Sequence, residues 1–528
     1  MKRVGALSDN ARKERGRITA IAADAAGQGD LFADQLRSFH LPKPGDDRIG
    51  VVDVGSNSVR MVVFEDGRRC PAMVFNEKIM CGLGADLDET GKLDPEGCDR
   101  TMVALHRFVA MAPGLKVGAL VGMATAAVRE AKDGRAFRDR IENETGIRLR
   151  IASGKDEARY AALGVLFGDP AAEGLVLDLG GASMEFCPVA NGKPGTGIST
   201  PLGPQRIEAP TPHAARRAMD AILSEVAPDF ADTSQRLYLV GGAWRALGRV
   251  QIDRVNHPMN ILHEYRFSAA DALKTAEYIL NAEKSELSGH GVPSARVASL
   301  PHAAVLLQAV IEHFDPKDLV ISGFGLREGL CYRYLPAAIR RQDPLLSTCR
   351  GQERTRARDP GFGAELANWI LAAFVPESPE EERLIRAACH LVDVSWRAHP
   401  DYRTTACLEA VTRVNVSSAG HKGRAFIGAA LLGRYKGARR LVADIEEISL
   451  LSDRRLDRAL QIGALMRLGS TISGAVSGYL PNCPLSVEDN TLFLKPIRSS
   501  RVLMGEEVEK RLLQAARALG LDWQIGSD

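Results

Sequence analysis

The sequence predicts an α/β protein with two similar lobes that face each other across a cleft, followed by a helical C-terminal region. A pattern that occurs twice, at 49–64 and at 174–189, indicates the lobes: an apolar strand, an aspartate, a Gly-rich turn and a second apolar strand. Repetition of this kind is typical of internal duplication. Beyond about Ala337, apolar residues at helical spacing indicate the third region.

The chain has 528 residues, which is too long for a single core and suggests two to four domains. We predict an N-terminal extension, two lobes, a helical domain and a small α/β segment, at 1–47, 48–170, 171–336, 337–480 and 481–528 respectively.

The composition is that of a soluble globular protein and argues against several other classes. Charged residues make up 25% and hydrophobic residues 45%, as in ordinary soluble globular proteins. The net charge of +2 gives no general reason to expect a membrane or a specific nucleic acid as a partner. No apolar run has the length of a membrane span, and the nine cysteines lack a Cys-x-x-Cys pair. We therefore expect a cytoplasmic protein with reduced, mostly buried thiols and no structural zinc site.

The first 47 residues begin basic and continue rich in Ala, Gly and Asp, which predicts a flexible extension with a short helix near 31–39. A basic arm that touches RNA or another polyanion is the alternative. We favour a solvated tail.

The first hairpin carries a candidate ligand site at its tip. Gly55 permits a close backbone approach, and Ser56 and Asn57 can complete an anion-binding concavity. Asp53 ends the first strand and can hold a cation beside that anion. The alternative is an ordinary hairpin with a polar surface turn.

Two helix starts follow in the first lobe. The strand at 117–123 leads into a small polar turn and a helix, a general anion-binding geometry, and Arg129 is placed to reach into the cleft. A surface salt bridge is the alternative for Arg129. At the second helix, Ser153 or Asp156 can cap the first turn, which alone would explain Asp156 and Glu157.

The second copy of the pattern supplies Asp178, the turn at 180–183 and Glu185, and a third Gly-rich turn follows a strand at 237–245. Four segments in order, 53–58, 124–131, 153–159 and 178–185, together resemble the exopolyphosphatase/guanosine pentaphosphate phosphatase family of the actin–sugar kinase–Hsp70 superfamily. The segment 323–329 is similar to the family's closing motif. The resemblance covers roughly Arg48 to Leu335 and implies two ribonuclease H-like lobes of the actin-like ATPase type.

The resemblance also implies roles for residues. Glu157 matches the catalytic glutamate that activates water, and Asp178 and Glu185 match the acids that organise Mg²⁺ and the water; we add Asp53 as a metal ligand. The phosphate-contacting positions are Gly55, Ser56, Asn57, Arg129, Gly180, Gly181 and Ser183. Ala182 and Met184 depart from the commoner Gly-Gly-Gly-Ser-Thr-Glu. Ala182 bears on how closely the second turn wraps a phosphate, and Met184 removes one hydroxyl that could contact it.

The implied substrate is inorganic polyphosphate, with guanosine pentaphosphate, a substrate of the stringent response, as the nearest alternative. A homodimer is implied as well. A non-catalytic polyphosphate or alarmone sensor is a further alternative, and an ATP-dependent kinase is another. Trp244 and Arg245 in the third turn suggest a filled nucleotide pocket, which disfavours the kinase, unless Trp244 is simply a core residue.

In the C-terminal region, helices are predicted at 362–374, 380–396, 406–414, 422–435 and 453–477, then a hairpin at 485–497 and a helix at 505–520. Longer family members have a domain here that resembles HD phosphohydrolases. The sequence contains no His-Asp dipeptide, so we expect no HD metal site and assign His390, Asp393, His399 and His421 to packing or surface roles.

The same region carries basic residues with two possible roles. Either a polyphosphate track or a solvated basic face is formed by Arg354, Arg356, Arg424, Arg434, Lys436, Arg439 and Arg440.

Overall fold

The computed structural model describes residues 48–65, 68–207, 211–413, 416–435 and 439–526. The predicted N-terminal extension and its short helix lie outside the described residues. Among the residues described, no helix combines the length and the apolar character needed to cross a bilayer. All nine cysteines are free, and eight of them are buried, as predicted.

The first lobe contains a five-stranded sheet in the order β3-β2-β1-β4-β5. Its strands are β1 (Arg48–Val54), β2 (Ser58–Phe64), β3 (Met73–Met80), β4 (Val117–Ala124) and β5 (Leu149–Ile151). Its helices are Leu87–Thr90, Pro95–Met111, Ala126–Glu130 and Gly134–Thr145. Ile49 and Val51 enter one core, while Val52 and Val54 enter the core on the opposite face. Because both faces are covered, β1 is a continuous apolar run.

The second lobe repeats this design. Its sheet has the order β11-β12-β10-β6-β7-β8, and β9 also pairs with β7. The strands are β6 (Gly174–Leu179), β7 (Met184–Ala190), β8 (Lys193–Pro194), β9 (Ile198–Thr200), β10 (Arg236–Gly241), β11 (Tyr265–Ser268) and β12 (Asp318–Ile321). The helices are Pro212–Val226, Gly242–Arg254, Ala269–Asn281, Lys284–Gly289, Ser294–Val297 and Leu300–Phe314.

The two hairpins have the same register at their tips. Asp53 lies opposite Arg60 between β1 and β2, and Asp178 lies opposite Glu185 between β6 and β7. In each lobe the first strand continues into the sheet through a parallel neighbour, β4 or β10. The predicted duplication is therefore present in strand pairing as well as in sequence.

Two helices, Gly154–Gly168 and Leu326–Tyr334, cross between the lobes. A Cβ atom on Gly329 would lie 1.8 Å from the carbonyl oxygen of Tyr160, and one on Gly164 would lie 2.1 Å from that of Gly325. The close crossing therefore requires glycine at both contacts. It brings the first turns of both helices to the cleft.

The helical domain and the terminal segment share one hydrophobic core, which joins Leu366 and Leu465 to Leu485, Leu494 and Leu512. Its helices are Ala337–Arg340, Pro344–Arg356, Phe362–Leu371, Pro379–Leu391, Arg403–Thr412, Gly420–Tyr435, Arg439–Ala443, Asp453–Ser473 and Glu506–Leu519. The strands are β13 (Leu485–Glu488), β14 (Thr491–Leu494) and β15 (Asp522–Ile525). Each helix predicted for this region is present, with ends within a few residues. The sequence analysis missed the helix Pro344–Arg356 and the parallel pairing of β15 with β14.

Four polar residues of this domain were assigned to packing or the surface. His390 is buried and its Nδ1 lies 2.6 Å from Glu353, while Asp393 is buried and accepts from Arg358. His421 is buried against the second lobe, where its Nδ1 lies 2.8 Å from His257 Nε2. His399 is exposed. These positions agree with the assignment.

For Arg424 and Arg434, both alternatives that the sequence left open, a polyphosphate track and a solvated basic face, are wrong. Arg424 is 1% exposed and donates to the carbonyl of Val411, so it stabilises the helical core. Arg434 donates to the carbonyl of Val392, and its side chain is 10% exposed. Arg439 is exposed but pairs with two aspartates. Hydrogen bonding to carbonyls, which sequence spacing cannot reveal, keeps Arg424 and Arg434 away from a ligand-binding face, whereas Arg439 stays exposed with its charge paired. Lys436 lies outside the described residues.

Candidate active site

A cavity of about 410 Å³ lies between the lobes, where the two duplicated turns meet. It is lined by ten of the eleven predicted site residues: Asp53, Gly55, Ser56, Asn57, Glu157, Asp178, Gly180, Gly181, Ser183 and Glu185. The sequence analysis therefore identified residues that the fold brings together from distant parts of the chain. The exception is Arg129, which lies behind Glu157.

The first turn is held by a neighbouring loop. The Gly55 amide donates to the Ser58 carbonyl over 3.0 Å and closes the turn. The Gly84 amide donates to the Ser56 carbonyl over 2.9 Å, and the amide of Gly82 donates to Asn57 over 3.0 Å. These bonds fix Ser56 and Asn57 at the cavity wall.

The second turn has an equivalent arrangement. The Gly180 amide donates to Ser183 over 2.9 Å, and the Gln205 amide donates to the Gly181 carbonyl over 2.9 Å. Ala182 therefore does not prevent the turn from closing as the first one does. Met184 is fully buried, so the other departure from the family motif lies in the core.

Glu157 is free of the capping role that the sequence left open. Ser153 caps the helix, and Asp156 completes the capping box. Glu157 is 8% exposed and accepts from Arg129, which also donates to the Ala152 carbonyl over 2.9 Å. Burial raises the pKa of Glu157, and the charge of Arg129 partly opposes that rise. A buried carboxylate with a raised pKa, held by an arginine, suits a general base.

Arg129 itself is not part of the cavity lining. Its guanidinium contacts Glu157 and lies 3.6 Å from Glu130. The structure thus places it as a partner of the candidate base. Its predicted contact with phosphate stays a prediction.

Asp178 and Glu185 project from opposite strands of the second hairpin. Burial raises the pKa of Asp178 to about 6. The pKa of Glu185 is raised by burial and then by the charges of Glu157 and Asp178, and Ser199 donates to its Oε1 over 2.8 Å. Because these carboxylates disfavour one another's ionisation, a cation beside them would be stabilised. The sequence analysis missed Ser199, which carries no motif signal.

The third Gly-rich turn, at 237–245, was expected to have its nucleotide pocket filled by Trp244 and Arg245. Trp244 is fully buried in the core of the second lobe, so the simpler interpretation of Trp244 is correct. Arg245 lines the cavity. The guanidinium of Arg296 covers Gly242, where a Cβ atom would lie 2.6 Å from the Arg296 Cζ. An arginine rather than a tryptophan therefore covers this turn.

Comparison with known proteins supplies the family. Residues 62–338 match the model of the Ppx/GppA phosphatase family, which is more than half of the chain. The chain belongs to the Ppx/GppA phosphatase family. Residues 347–524 match the model described as exopolyphosphatase, C-terminal.

Several relatives of this Ppx/GppA protein are known. Exopolyphosphatase 1 of Mycobacterium tuberculosis is 28% identical over 54% of this chain and 88% of its own length. The guanosine-5'-triphosphate,3'-diphosphate pyrophosphatase of Pseudoalteromonas atlantica is 26% identical over 57% of this chain and 61% of its own. A crystal structure of an exopolyphosphatase from Cytophaga hutchinsonii covers 55% of this chain and 98% of its own, at 24% identity and a TM-score of 0.49.

Five cations line the cavity of this family member: Arg60, Lys78, Arg245, Arg296 and Arg327. The pKa of Lys78 is lowered by burial and then by the charges of Arg296 and Arg60. In the described part of the chain, a carboxylate partner is recorded for Arg327 alone, which donates to Asp53 over 3.0 Å. The sequence could have identified two of these cations as site residues, because Arg60 lies opposite Asp53 in the first hairpin and Arg327 lies in the closing motif. Arg296 lies in a segment without a motif, so no sequence signal pointed to it.

The donor set of the cavity suits Mg²⁺, which prefers oxygen ligands. Across the described ranges, no three His, Cys, Asp or Glu side chains are grouped so that they could enclose a metal ion. Mg²⁺ does not need such an enclosure, because it keeps several waters and binds through one or two carboxylates plus substrate phosphates. Asp178 and Glu185 fit that role. Asp53 fits it less well, since Arg327 already neutralises its charge.

Proposed function

We propose that this cleft hydrolyses the terminal phosphoanhydride bond of inorganic polyphosphate and releases orthophosphate. The observation that carries the proposal is the composition of one cavity: two closed Gly-rich turns, five cations and a buried glutamate held by an arginine. The relationship to Exopolyphosphatase 1 of Mycobacterium tuberculosis supports the same substrate.

Substrate binding rests on the turns and the cations. The hydroxyls of Ser56 and Ser183 and the amide of Asn57 are donors at the wall, while Arg60, Lys78 and Arg296 supply positive charge. These cations repel one another, and a chain of phosphates would relieve that repulsion. The cavity of about 410 Å³ holds the terminal part of a long chain.

Catalysis depends on placement and charge, because phosphoryl transfer passes through a loose transition state. Glu157 accepts a proton from the attacking water as the water approaches the terminal phosphorus. Arg129 holds the Glu157 carboxylate in orientation and restrains its pKa. General-base catalysis supplies about 10²–10⁴-fold, so the charges that surround the phosphate provide the rest.

We propose Mg²⁺ as the cofactor, held by Asp178 and Glu185. When bound, Mg²⁺ would neutralise developing charge on phosphate oxygens. Ser199 orients the Glu185 carboxylate through its hydrogen bond.

Guanosine pentaphosphate is the second candidate substrate, because it ends in the same phosphoanhydride bond. The similarity to the pyrophosphatase of Pseudoalteromonas atlantica favours it. Its nucleoside would have to lie outside the cavity, since Arg296 covers the third turn. A non-catalytic sensor is a weaker alternative, because a sensor has no need of three carboxylates, Glu157, Asp178 and Glu185, in one cavity.

The deciding experiment measures phosphate release by the purified full chain with Mg²⁺, offered long polyphosphate, short polyphosphate, guanosine pentaphosphate and ATP in parallel. We expect the highest kcat/KM for polyphosphate. Higher kcat/KM for guanosine pentaphosphate would favour the second substrate. Binding without release from any of them would favour the sensor.

Two further proposals accompany the activity. A cytoplasmic location is supported by nine free cysteines. The homodimer implied by the family resemblance is testable by the mass of the purified protein in solution.

A further inference from the structure

Arg206 lies in the second lobe and reaches residues of the first. It follows Gln205, the residue that closes the second turn, and its own amide donates to Gly203. Its Nη1 donates to Asp88 over 3.3 Å, and its Nη2 donates to Glu130. Asp88 belongs to the helix Leu87–Thr90, and Glu130 ends the helix Ala126–Glu130. One arginine therefore bridges the cleft to two carboxylates.

The bridge continues to the candidate base. Glu130 also lies 3.6 Å from Arg129 Nη2, while Arg129 Nη1 donates to Glu157. Glu130 is thus shared between Arg206 and Arg129, and Arg129 is shared between Glu130 and Glu157. Four charged groups of alternating sign connect the second lobe to Glu157.

We infer that Arg206 is a positioning residue: it latches the two lobes together and, through Glu130 and Arg129, sets the orientation of Glu157 when the lobes are closed. The inference rests on the proposed hydrolytic function, which it deepens. The side chains of Arg206 and Glu130 are about one-third exposed, at 35% and 38%. Ion pairs with this exposure are individually weak, which suits a contact that must break when product leaves.

The latch acts by competition for Arg129. When the lobes separate, Glu130 loses Arg206 and keeps Arg129 as its cationic neighbour, so it draws that guanidinium away from Glu157. When the lobes close, Arg206 neutralises Glu130, and Arg129 returns to Glu157. Glu157 is therefore aligned only while the two lobes are closed.

The first test compares Arg206→Gln with Arg107→Gln in the full chain. Arg107 pairs with Glu77 inside the first lobe and is a matched arginine that crosses no cleft. For polyphosphate hydrolysis, we expect Arg206→Gln to raise KM and to lower kcat, with a loss of about tenfold in kcat/KM. Arg107→Gln should stay within about twofold of the wild type. Equal behaviour of the two variants would overturn the inference.

A mutant cycle with Glu130→Gln separates positioning from simple lobe contact. Glu130→Gln also breaks the latch and should raise KM, but it removes the competitor for Arg129, so kcat should remain near the wild-type value. In Arg206→Gln/Glu130→Gln, kcat should recover to within about threefold of Glu130→Gln. If the loss of kcat in the double variant, expressed as a free energy, equals the sum of the losses in the two single variants, Arg206 does not act through Glu130.

A readout without catalysis keeps the inference apart from the proposed function. Hydrogen exchange of the segment 81–91, which carries Asp88 and the loop that holds the first turn, should be faster in Arg206→Gln by about twofold or more. Exchange that matches the wild type would overturn the latch even in an active enzyme. If the wild type hydrolyses none of the substrates but exchange is still faster in Arg206→Gln than in the wild type, the latch is upheld and the hydrolase is rejected. Arg206→Lys, which keeps the charge, should lie between the wild type and Arg206→Gln in both measurements.

Discussion

At Glu157, burial and an arginine act on one carboxylate in opposite directions. Burial raises its pKa, and the adjacent Arg129 charge favours the ionised form. Burial also raises the pKa of Asp178 and of Glu185. The charges of Arg245 and Arg327 oppose the rise at Asp178, whereas the charges of Glu157 and Asp178 add to the rise at Glu185. Three acids of one cavity thus have different environments, which supports a division of roles between proton transfer and metal binding.

Replacement of Glu157 by Gln tests the proton-transfer role. The variant keeps the shape of the side chain but cannot accept a proton, so we expect kcat for polyphosphate to fall by about 10²-fold or more, with binding retained. Phosphate release and equilibrium binding measure the two effects. Glu142→Gln, on an exposed face of the first lobe, is the control. Near wild-type turnover of Glu157→Gln would assign Glu157 to a structural role.

Replacement of Asp178 by Asn tests the metal role. The amide keeps one oxygen ligand but lacks the negative charge, so half-maximal activity should require about tenfold more Mg²⁺. Titration of metal-free protein with Mg²⁺ provides the measurement. Full activity of the wild type in excess EDTA, after metal analysis has shown it to be metal-free, would contradict the proposal.

Among the elements, the helices Gly154–Gly168 and Leu326–Tyr334 determine the position of the site. Their crossing places Glu157 and Arg327 in first turns that face the same cavity. The crossing depends on Gly164 and Gly329, where any side chain would meet backbone atoms. The packing contact between these two helices therefore controls the geometry between base and cations.

Gly329→Ala tests this dependence. The added methyl would lie 1.8 Å from the Tyr160 carbonyl oxygen, so the helices must separate. We expect a loss of about 1–3 kcal/mol in the free energy of unfolding and a lower kcat, because the two first turns move apart. Gly289→Ala is the control, since its Cβ would meet no atom within 4 Å. Equal denaturation midpoints for both variants would show that the crossing tolerates a side chain.

A second element-scale prediction concerns the buried pair of Glu353 and His390. The histidine and the amides of Gly361 and Gly363 lower the pKa of Glu353, although burial alone would raise it. A lowered folded-state pKa gives stability above the unfolded-state value of about 4.3, and this stability is lost as the pH falls through the folded-state value. Glu353→Gln should therefore be less stable than the wild type at pH 7, and the difference should shrink below about pH 4. A difference in denaturation midpoint that is independent of pH would contradict the linkage.

On the scale of the whole molecule, the features that local sequence patterns encode could be predicted, and those that depend on tertiary contacts could not. The repeated hairpins, the cleft and nine of its lining residues follow from the duplicated pattern, and Glu157 follows from the segment 153–159. The partners of Arg129, Arg424 and Arg434 could not be predicted, because each is chosen by a tertiary contact with a distant carboxylate or carbonyl. The shared core of the helical domain and the terminal segment was also hidden, since it depends on how distant helices pack.

Three of the seven basic residues named for the helical domain remain candidates for contact with a long chain. Arg354, Arg356 and Arg440 are exposed, and the described contacts give none of them an acidic partner. A long polyphosphate that contacts these arginines would release counterions, so its KM should rise with salt. By analogy with single-stranded nucleic acids, each lost contact should reduce the slope of log KM against log salt by about 0.7.

We therefore predict that the triple variant Arg354→Gln, Arg356→Gln and Arg440→Gln reduces this slope by about 2 for long polyphosphate. Short chains, which end inside the cleft, should show little change. The control is a second triple variant with the same Arg→Gln change at Arg107, Arg138 and Arg140. These three arginines of the first lobe each have an acidic partner. Removal of the whole domain would be less informative, because Glu264 of the second lobe accepts hydrogen bonds from Ala419 and Gly420 and would be uncovered. An unchanged salt slope in the folded triple variant would place the path of long chains on another surface.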